Sequence, residues 1–257
     1  MRKLLYILVL SLAVNSMAMA CYDDKKSSSK QNFDDCKAGA EKGNSFDQFA
    51  LGYLYDQGQG TPQSYEEAVK WYKKSAEQGH STAQYNLGIM YDHGLGTPKN
   101  YKEALKWYKK AAEQGHSTAQ YNLGVMYDNG HGTPQNYKEA LKWYKKLADQ
   151  GHSEAQFNLG LLYQYGRGTP KNYKEAVKWY KKSAEQGHSV AQVNLGLMYY
   201  QGLGTPKKIV LAHMYFNLAA TNGFENAIKA RGIISKEMTS SQISEAQKLA
   251  QKWVNTH

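Results

Sequence analysis

The chain has 257 residues but only two cysteines and five prolines, and it has no long apolar run beyond Val14. The missing second run excludes a polytopic membrane protein, and the mean hydropathy of −0.70 agrees with that. Spanning a bilayer takes about 20 consecutive apolar residues, more than Leu4 to Val14 supplies. Arg2 and Lys3 before that run, and Ala18-Met19-Ala20 after it, make residues 1–20 a secretory signal. The chain is thus expected to be periplasmic or secreted. The net charge is +10, and 21 tyrosines supply aromatic surface for a core.

Both cysteines, Cys21 and Cys36, fall near the mature N-terminus. In an oxidising compartment they are expected to form one disulfide. The alternative is a lipid anchor on Cys21, directly after the cleavage site. Against it, the position three residues before Cys21 is Ala18, where a lipidation signal prefers Leu. Residues 21–32, with Ser27-Ser28-Ser29, read as a flexible segment.

The prolines are few because each marks the same place in a repeat. Pro62, Pro98, Pro134, Pro170 and Pro206 lie 36 residues apart, each after Gly-Thr. Leu-Gly-x-x-Tyr recurs with the same period from Leu51, Leu87, Leu123, Leu159 and Leu195, and Trp71, Trp107, Trp143 and Trp179 follow it, with Tyr215 in the fifth place. A fixed period of this length means stacked supersecondary units, each too small to bury its own apolar face. Five units run from residue 45 to 224.

The unit Ser81 to His116 predicts two helices. Ser81-Thr82-Ala83-Gln84 reads as a capping box, followed by Ala83, Leu87, Met90 and Tyr91 on one face and a stop at Gly94. Asn100-Tyr101-Lys102-Glu103 reads as a second box, ahead of a helix burying Tyr101, Ala104, Leu105, Tyr108 and Ala112. Gly88, inside the first helix, costs about 1 kcal/mol against Ala, so its repetition predicts close helix contact. Tyr85 and Ile89 form a second apolar row, expected to meet the adjoining repeat. In the fifth unit Lys208 and Leu211 replace the Asn and Glu of the second box, which predicts a weaker or shifted helix start. The fold class is therefore all-α, a solenoid of stacked antiparallel helical hairpins.

Residues 119–127 (Ala-Gln-Tyr-Asn-Leu-Gly-Val-Met-Tyr), Gly130-His131-Gly132-Thr133-Pro134 and Tyr137-Lys138-Glu139-Ala140 through Trp143-Tyr144 resemble the Sel1-like repeat family. The resemblance implies a right-handed superhelix with first helices lining the concave face. The ends fit it: residues 33–44 read as an N-terminal half-repeat and 225–257 as C-terminal capping helices, the last capped by Thr239-Ser240-Ser241-Gln242.

Candidate chemistry is sparse. His80, His116, His152 and His188 form a ladder, but stacked helices 8–10 Å apart cannot share one zinc at about 2.1 Å, so no metal or other cofactor is expected. Gly94-x-Gly96 lacks the Gly-Lys-[Ser/Thr] of a phosphate loop and reads as a turn. Ser27-x-x-Lys30 matches Ser-x-x-Lys, without the Ser-Asp-Asn or Lys-Thr-Gly that penicillin-interacting enzymes add. Some cysteine-rich relatives of the resembled family act on β-lactams, but those carry a cysteine pair in each repeat and these five repeats have none. An envelope enzyme or binder for β-lactams or peptidoglycan is thus the alternative, and a non-catalytic scaffold the leading reading.

Within the repeats, the pair of residues before the first closing glycine varies: Asp56-Gln57, Asp92-His93, Asp128-Asn129, Gln164-Tyr165 and Tyr200-Gln201. Variable positions on a shared face are what a recognition surface needs, so these ten are the expected partner-binding residues. The expected partner is a protein or peptide. Lys73-Lys74, Lys109-Lys110, Lys145-Lys146 and Lys181-Lys182 form a basic ridge, for which the second partner class is an anionic envelope polymer. Nucleic acid does not suit an exported chain.

Overall fold

The computed structural model describes Cys21 and residues 29–256. The segment 1–20, with the signal reading, and residues 22–28 lie outside the described residues. Among the described residues there are thirteen helices and no strand. They are α1 (Ser29–Glu41), α2 (Ser45–Gln57), α3 (Tyr65–Glu77), α4 (Ser81–His93), α5 (Tyr101–Glu113), α6 (Ser117–Asn129), α7 (Tyr137–Asp149), α8 (Ser153–Tyr165), α9 (Tyr173–Glu185), α10 (Ser189–Gln201), α11 (Ile209–Thr221), α12 (Glu225–Ser235) and α13 (Ser240–Thr256). None is long and apolar enough to cross a membrane. The chain divides into two compact units, Met1–Ala119 and Gln120–His257.

In the first unit α2 pairs with α3 and α4 with α5, and the pairing distance is set by glycine. A Cβ added to Gly88 would lie 2.6 Å from Cδ1 of Tyr108, and one added to Gly52 would lie 2.7 Å from Cδ1 of Tyr72. Both rings are fully buried. The glycine expected to signal close contact therefore makes it with the tyrosine of its own hairpin, while Trp107 joins the core shared with the preceding hairpin.

Successive hairpins are tied by glutamine. Gln48 and Gln84 donate to the carbonyls of Ala40 and Ala76, each at 3.1 Å. Their side-chain oxygens accept from Gln78 and Gln114 at 2.7 Å. This corrects the capping-box reading of Ser81 to Gln84. The cap of α4 is His80, whose Nδ1 accepts from the Ala83 amide at 3.2 Å, and His116 does the same for Ala119 at 3.3 Å. Burial holds both imidazoles below their ordinary pKa, which keeps Nδ1 free to accept. The second box is half right: Asn100 accepts from Lys102 and Glu103, but Glu103 turns outward to Lys106.

The loop glycines also join hairpins. Gly96 has φ +64°, and a Cβ there would lie 2.2 Å from the carbonyl carbon of Tyr65 at the start of α3. Gly60 meets Ser29 of α1 in the same way. Ser29 lies one 36-residue period before Tyr65, so α1 takes the place of a second helix. The helix begins four residues before the boundary expected at Phe33, so 29–32 are helical rather than part of a flexible segment. Cys36 stands one period before Tyr72, in the place of the buried ring. It is fully buried and bonded to Cys21, which ties Cys21 to a helix that has no hairpin partner among the described residues.

The second unit repeats this design. Gly124, Gly160 and Gly196 face the rings of Tyr144, Tyr180 and Phe216 at 2.8, 2.6 and 2.7 Å from an added Cβ. Gln156 and Gln192 donate to Ala148 and Ala184, and Gln186 closes the tie to Gln156 at 2.8 Å. In the fifth repeat the closing residue is Asn222, one methylene shorter, and it donates to Ser189 Oγ instead. The Gln192 carboxamide oxygen is left buried without a hydrogen-bond partner. Helix α11 starts in register at Ile209, without the shift expected there, although Lys208 supplies no side-chain cap; burial of Ala212 and Phe216 holds it in phase. Thr239 and Gln242 form a reciprocal box before α13.

Two outcomes follow. Gly→Ala usually stabilises a helix by about 1 kcal/mol; Gly88→Ala should instead destabilise by roughly 2–4 kcal/mol, because the ring behind it cannot retreat in a close-packed core. Thermal unfolding monitored by circular dichroism reads the sign. Asn222→Gln should restore the missing tie and raise stability by about 1 kcal/mol, and an unchanged or lower midpoint would show that the longer side chain does not reach Gln192.

Candidate functional site

The ten variable residues at the loop ends of the first helices fall into two rows. The first residue of each of the first four pairs faces its own hairpin. Tyr72 donates to Asp56 Oδ2 at 3.3 Å and Tyr108 to Asp92 Oδ2 at 3.4 Å; Tyr144 pairs with Asp128, and Tyr180 donates to Gln164 Oε1. In the fifth repeat Phe216 has no hydroxyl and Tyr200 occupies the acid's place. Tyr200 turns the other way and donates to Glu237 Oε1 at 2.5 Å. Lys207 lies over its ring at 4.7 Å and near Glu237 at 3.9 Å.

This row is therefore engaged inside each unit. Asp56 is 1% exposed, and burial raises its pKa to about 6 against the pull of Gln57 and Tyr72. Burial also raises Asp128, opposed by Arg167 and Tyr144. The Tyr144 phenol is pushed up by burial first and by the Asp128 charge second. Asp56, Asp92, Asp128 and Tyr200 are among the ten residues that the sequence offers for partner binding. The structure instead gives the acids a hairpin partner and Tyr200 a C-terminal one.

The second row is the outward one. His93, Asn129, Tyr165 and Gln201 are exposed, and Gln57 is partly so. Tyr165 is 55% exposed. The Arg167 guanidinium lies 5.3 Å from its ring centroid and 5.4 Å from that of Tyr137, bracing the side chain without covering it.

The other sequence candidates have structural roles. The histidines stack on aromatic rings: His80 on Phe49 at 4.7 Å, His116 on Tyr85 at 4.6 Å and His188 on Phe157 at 4.9 Å. Among the described residues no three His, Cys, Asp or Glu side chains are placed to hold a metal. The lysine ridge is not a row of free cations. Lys74, Lys110 and Lys182 lie over Trp71, Trp107 and Trp179 at 3.9, 4.5 and 4.6 Å. Lys73, Lys109 and Lys181 pair one turn on with Glu77, Glu113 and Glu185.

These elements agree with the comparisons with known proteins. The Sel1 repeat matches at residues 45–80, 81–116, 117–152, 153–188 and 189–224, more than half the chain. The chain belongs to the Sel1 repeat family. Among curated proteins there is no match. Among solved structures it is similar to c5321, a protective antigen present in uropathogenic Escherichia coli strains and displaying an SLR fold, with 41% identity and a TM-score of 0.77 over 88% of this chain and 49% of that one. It thus spans about half the length of that protein. It is also similar to a Sel1 repeat protein from Oxalobacter formigenes, with 36% identity and a TM-score of 0.70 over 88% of this chain and 90% of that one. The Sel1 repeats account for the all-helical scaffold, a kind of fold used for protein interaction.

Asp56→Asn tests the inward row. The Asp56 carboxyl has a folded pKa above its unfolded value of 3.8, so its charged form costs stability at neutral pH and the cost disappears as pH falls through about 6 toward 4. Asn keeps an acceptor for Tyr72, as Gln164 does for Tyr180 in the fourth repeat. The variant should gain roughly 2 kcal/mol at pH 8 and almost nothing at pH 4, read from denaturant midpoints at the two pH values.

Proposed function

We propose that the chain is an exported, non-catalytic scaffold of the cell envelope that binds a protein or peptide. In the second unit the contact is made by Asn129, Tyr165 and Gln201 together with Arg167. Tyr165 carries the reading. It is an aromatic side chain at the end of a rigid helix, more than half exposed, with a neighbouring guanidinium limiting its rotamers. Exposed, pre-ordered Tyr and Arg are the side chains that dominate binding energy at protein interfaces. In the first unit Gln57 and His93 hold the equivalent positions.

Export is supported by the signal-like segment at residues 1–20, by the Cys21–Cys36 disulfide and by the similarity to a protective antigen. A protein partner is favoured over an anionic polymer because Lys74, Lys110 and Lys182 of the ridge lie over tryptophan faces.

A photo-crosslinking side chain placed at Tyr165 or Gln201, in cells expressing the full chain, should give a discrete adduct in the envelope fraction. The same group at Lys145 or Lys181 should give little. Tyr165→Ala should weaken capture of that adduct's partner about 10-fold or more and leave the melting midpoint within about 2 °C. Adducts from the lysine face alone would overturn the reading.

A further inference from the structure

A cavity of about 540 Å³ lies in the second unit, where the C-terminal ends of α9, α11 and α13 meet. Leu218, Trp253 and Val254 give it an apolar wall, and Glu185, Gln186, Thr221 and Asn222 give it a polar one.

The polar wall has one chemical character. Gln186 donates to Gln156 Oε1 at 2.8 Å and, more weakly, to the Lys182 carbonyl. Asn222 donates to Ser189 Oγ at 3.0 Å, and Thr221 to the Leu218 carbonyl at 2.7 Å. The amide hydrogens of Gln186 and the hydroxyl hydrogen of Thr221 are engaged within the protein, so what these two groups hold for a ligand is oxygen. Glu185 adds a carboxylate. Lys181 reaches Glu185 at 3.7 Å, but both side chains are about half exposed, and such a pair contributes little. The Glu185 charge is felt inside the unit: burial first, and this carboxylate second, hold the Tyr199 phenol above its ordinary pKa.

We propose that this cavity binds an alkylammonium group, with the charged nitrogen against Glu185 and the methylenes along Trp253, Leu218 and Val254. A carboxylate with acceptor oxygens selects a cation, the indole adds a cation–π contact, and the apolar wall prefers a hydrocarbon chain to a hydrated inorganic ion. A free alkylamine and the side chain of a partner's lysine share this chemistry. The site is separate from the Tyr165 surface, and neither depends on the other.

The test follows the indole N–H signal of Trp253 in the ¹⁵N-labelled full chain, assigned with Trp253→Phe. The probes are pentylammonium, pentanol, a peptide with one lysine and the same peptide acetylated at that lysine. Pentylammonium should shift the signal saturably with a roughly millimolar Kd, the scale expected of so small a ligand, and pentanol should bind at least about 10-fold more weakly. Glu185→Gln, which keeps the shape and removes the charge, should weaken pentylammonium about 10-fold with the melting midpoint unchanged. A lysine peptide that binds more tightly than pentylammonium and is silenced by acetylation points to a partner's lysine, and one that binds no more tightly points to a free amine. No saturable shift with either amine, pentanol binding as well as pentylammonium, or an unaffected Glu185→Gln variant overturns the proposal.

Discussion

The contact between a mid-helix glycine and an aromatic ring sets the distance between the two helices of every hairpin. With Gly88 against Tyr108, and its equivalents in the other four repeats, no side chain separates the first helix from the ring. That approach buries the ring and brings its hydroxyl to the loop end of the first helix, where the residue 16 positions earlier must meet it. Asp56, Asp92, Asp128 and Gln164 do so, and the raised pKa of Asp56 is a consequence of that depth.

Stacking of hairpins depends on a second pair of devices. Gln48, Gln84, Gln156 and Gln192 each satisfy a carbonyl near the end of the preceding helix, and Gly60, Gly96, Gly168 and Gly204 let backbone touch backbone. Both are short-range and repeat without change, so departures mark the ends. At the N-terminal end Cys36 stands where a ring would be, and its disulfide to Cys21 secures a helix that has no hairpin partner among the described residues. At the C-terminal end Asn222 leaves Gln192 half satisfied, Phe216 releases Tyr200 to Glu237, and α13 covers the last hairpin. Asn222 and α13 also line the cavity at this end.

Charge is distributed by the same geometry. The second helix carries its lysines on the side away from the hairpin, where the tryptophan faces and the glutamates one turn on receive them. A chain of net charge +10 thus presents cations with local partners rather than a bare electropositive stripe.

Much was legible in the sequence, because the 36-residue period repeats the punctuation of each helix five times, and caps, glycine stops and apolar spacing act locally. The helical hairpins, their family, the cysteine pairing and the significance of Gly88 all follow from residues near one another or in register. The tertiary structure decided which groups meet across helices. Gln84 looked like a capping side chain and His80 like one rung of a histidine ladder; only packing shows that the histidine caps and the glutamine ties. Asp56 and Tyr165 looked equally available, since variability alone does not separate an inward position from an outward one. A signal for the pairing was present, as the change from Tyr to Phe216 falls in the same repeat as the change to Tyr200. Its meaning rests on a hydroxyl-to-carboxylate distance that chain order does not encode.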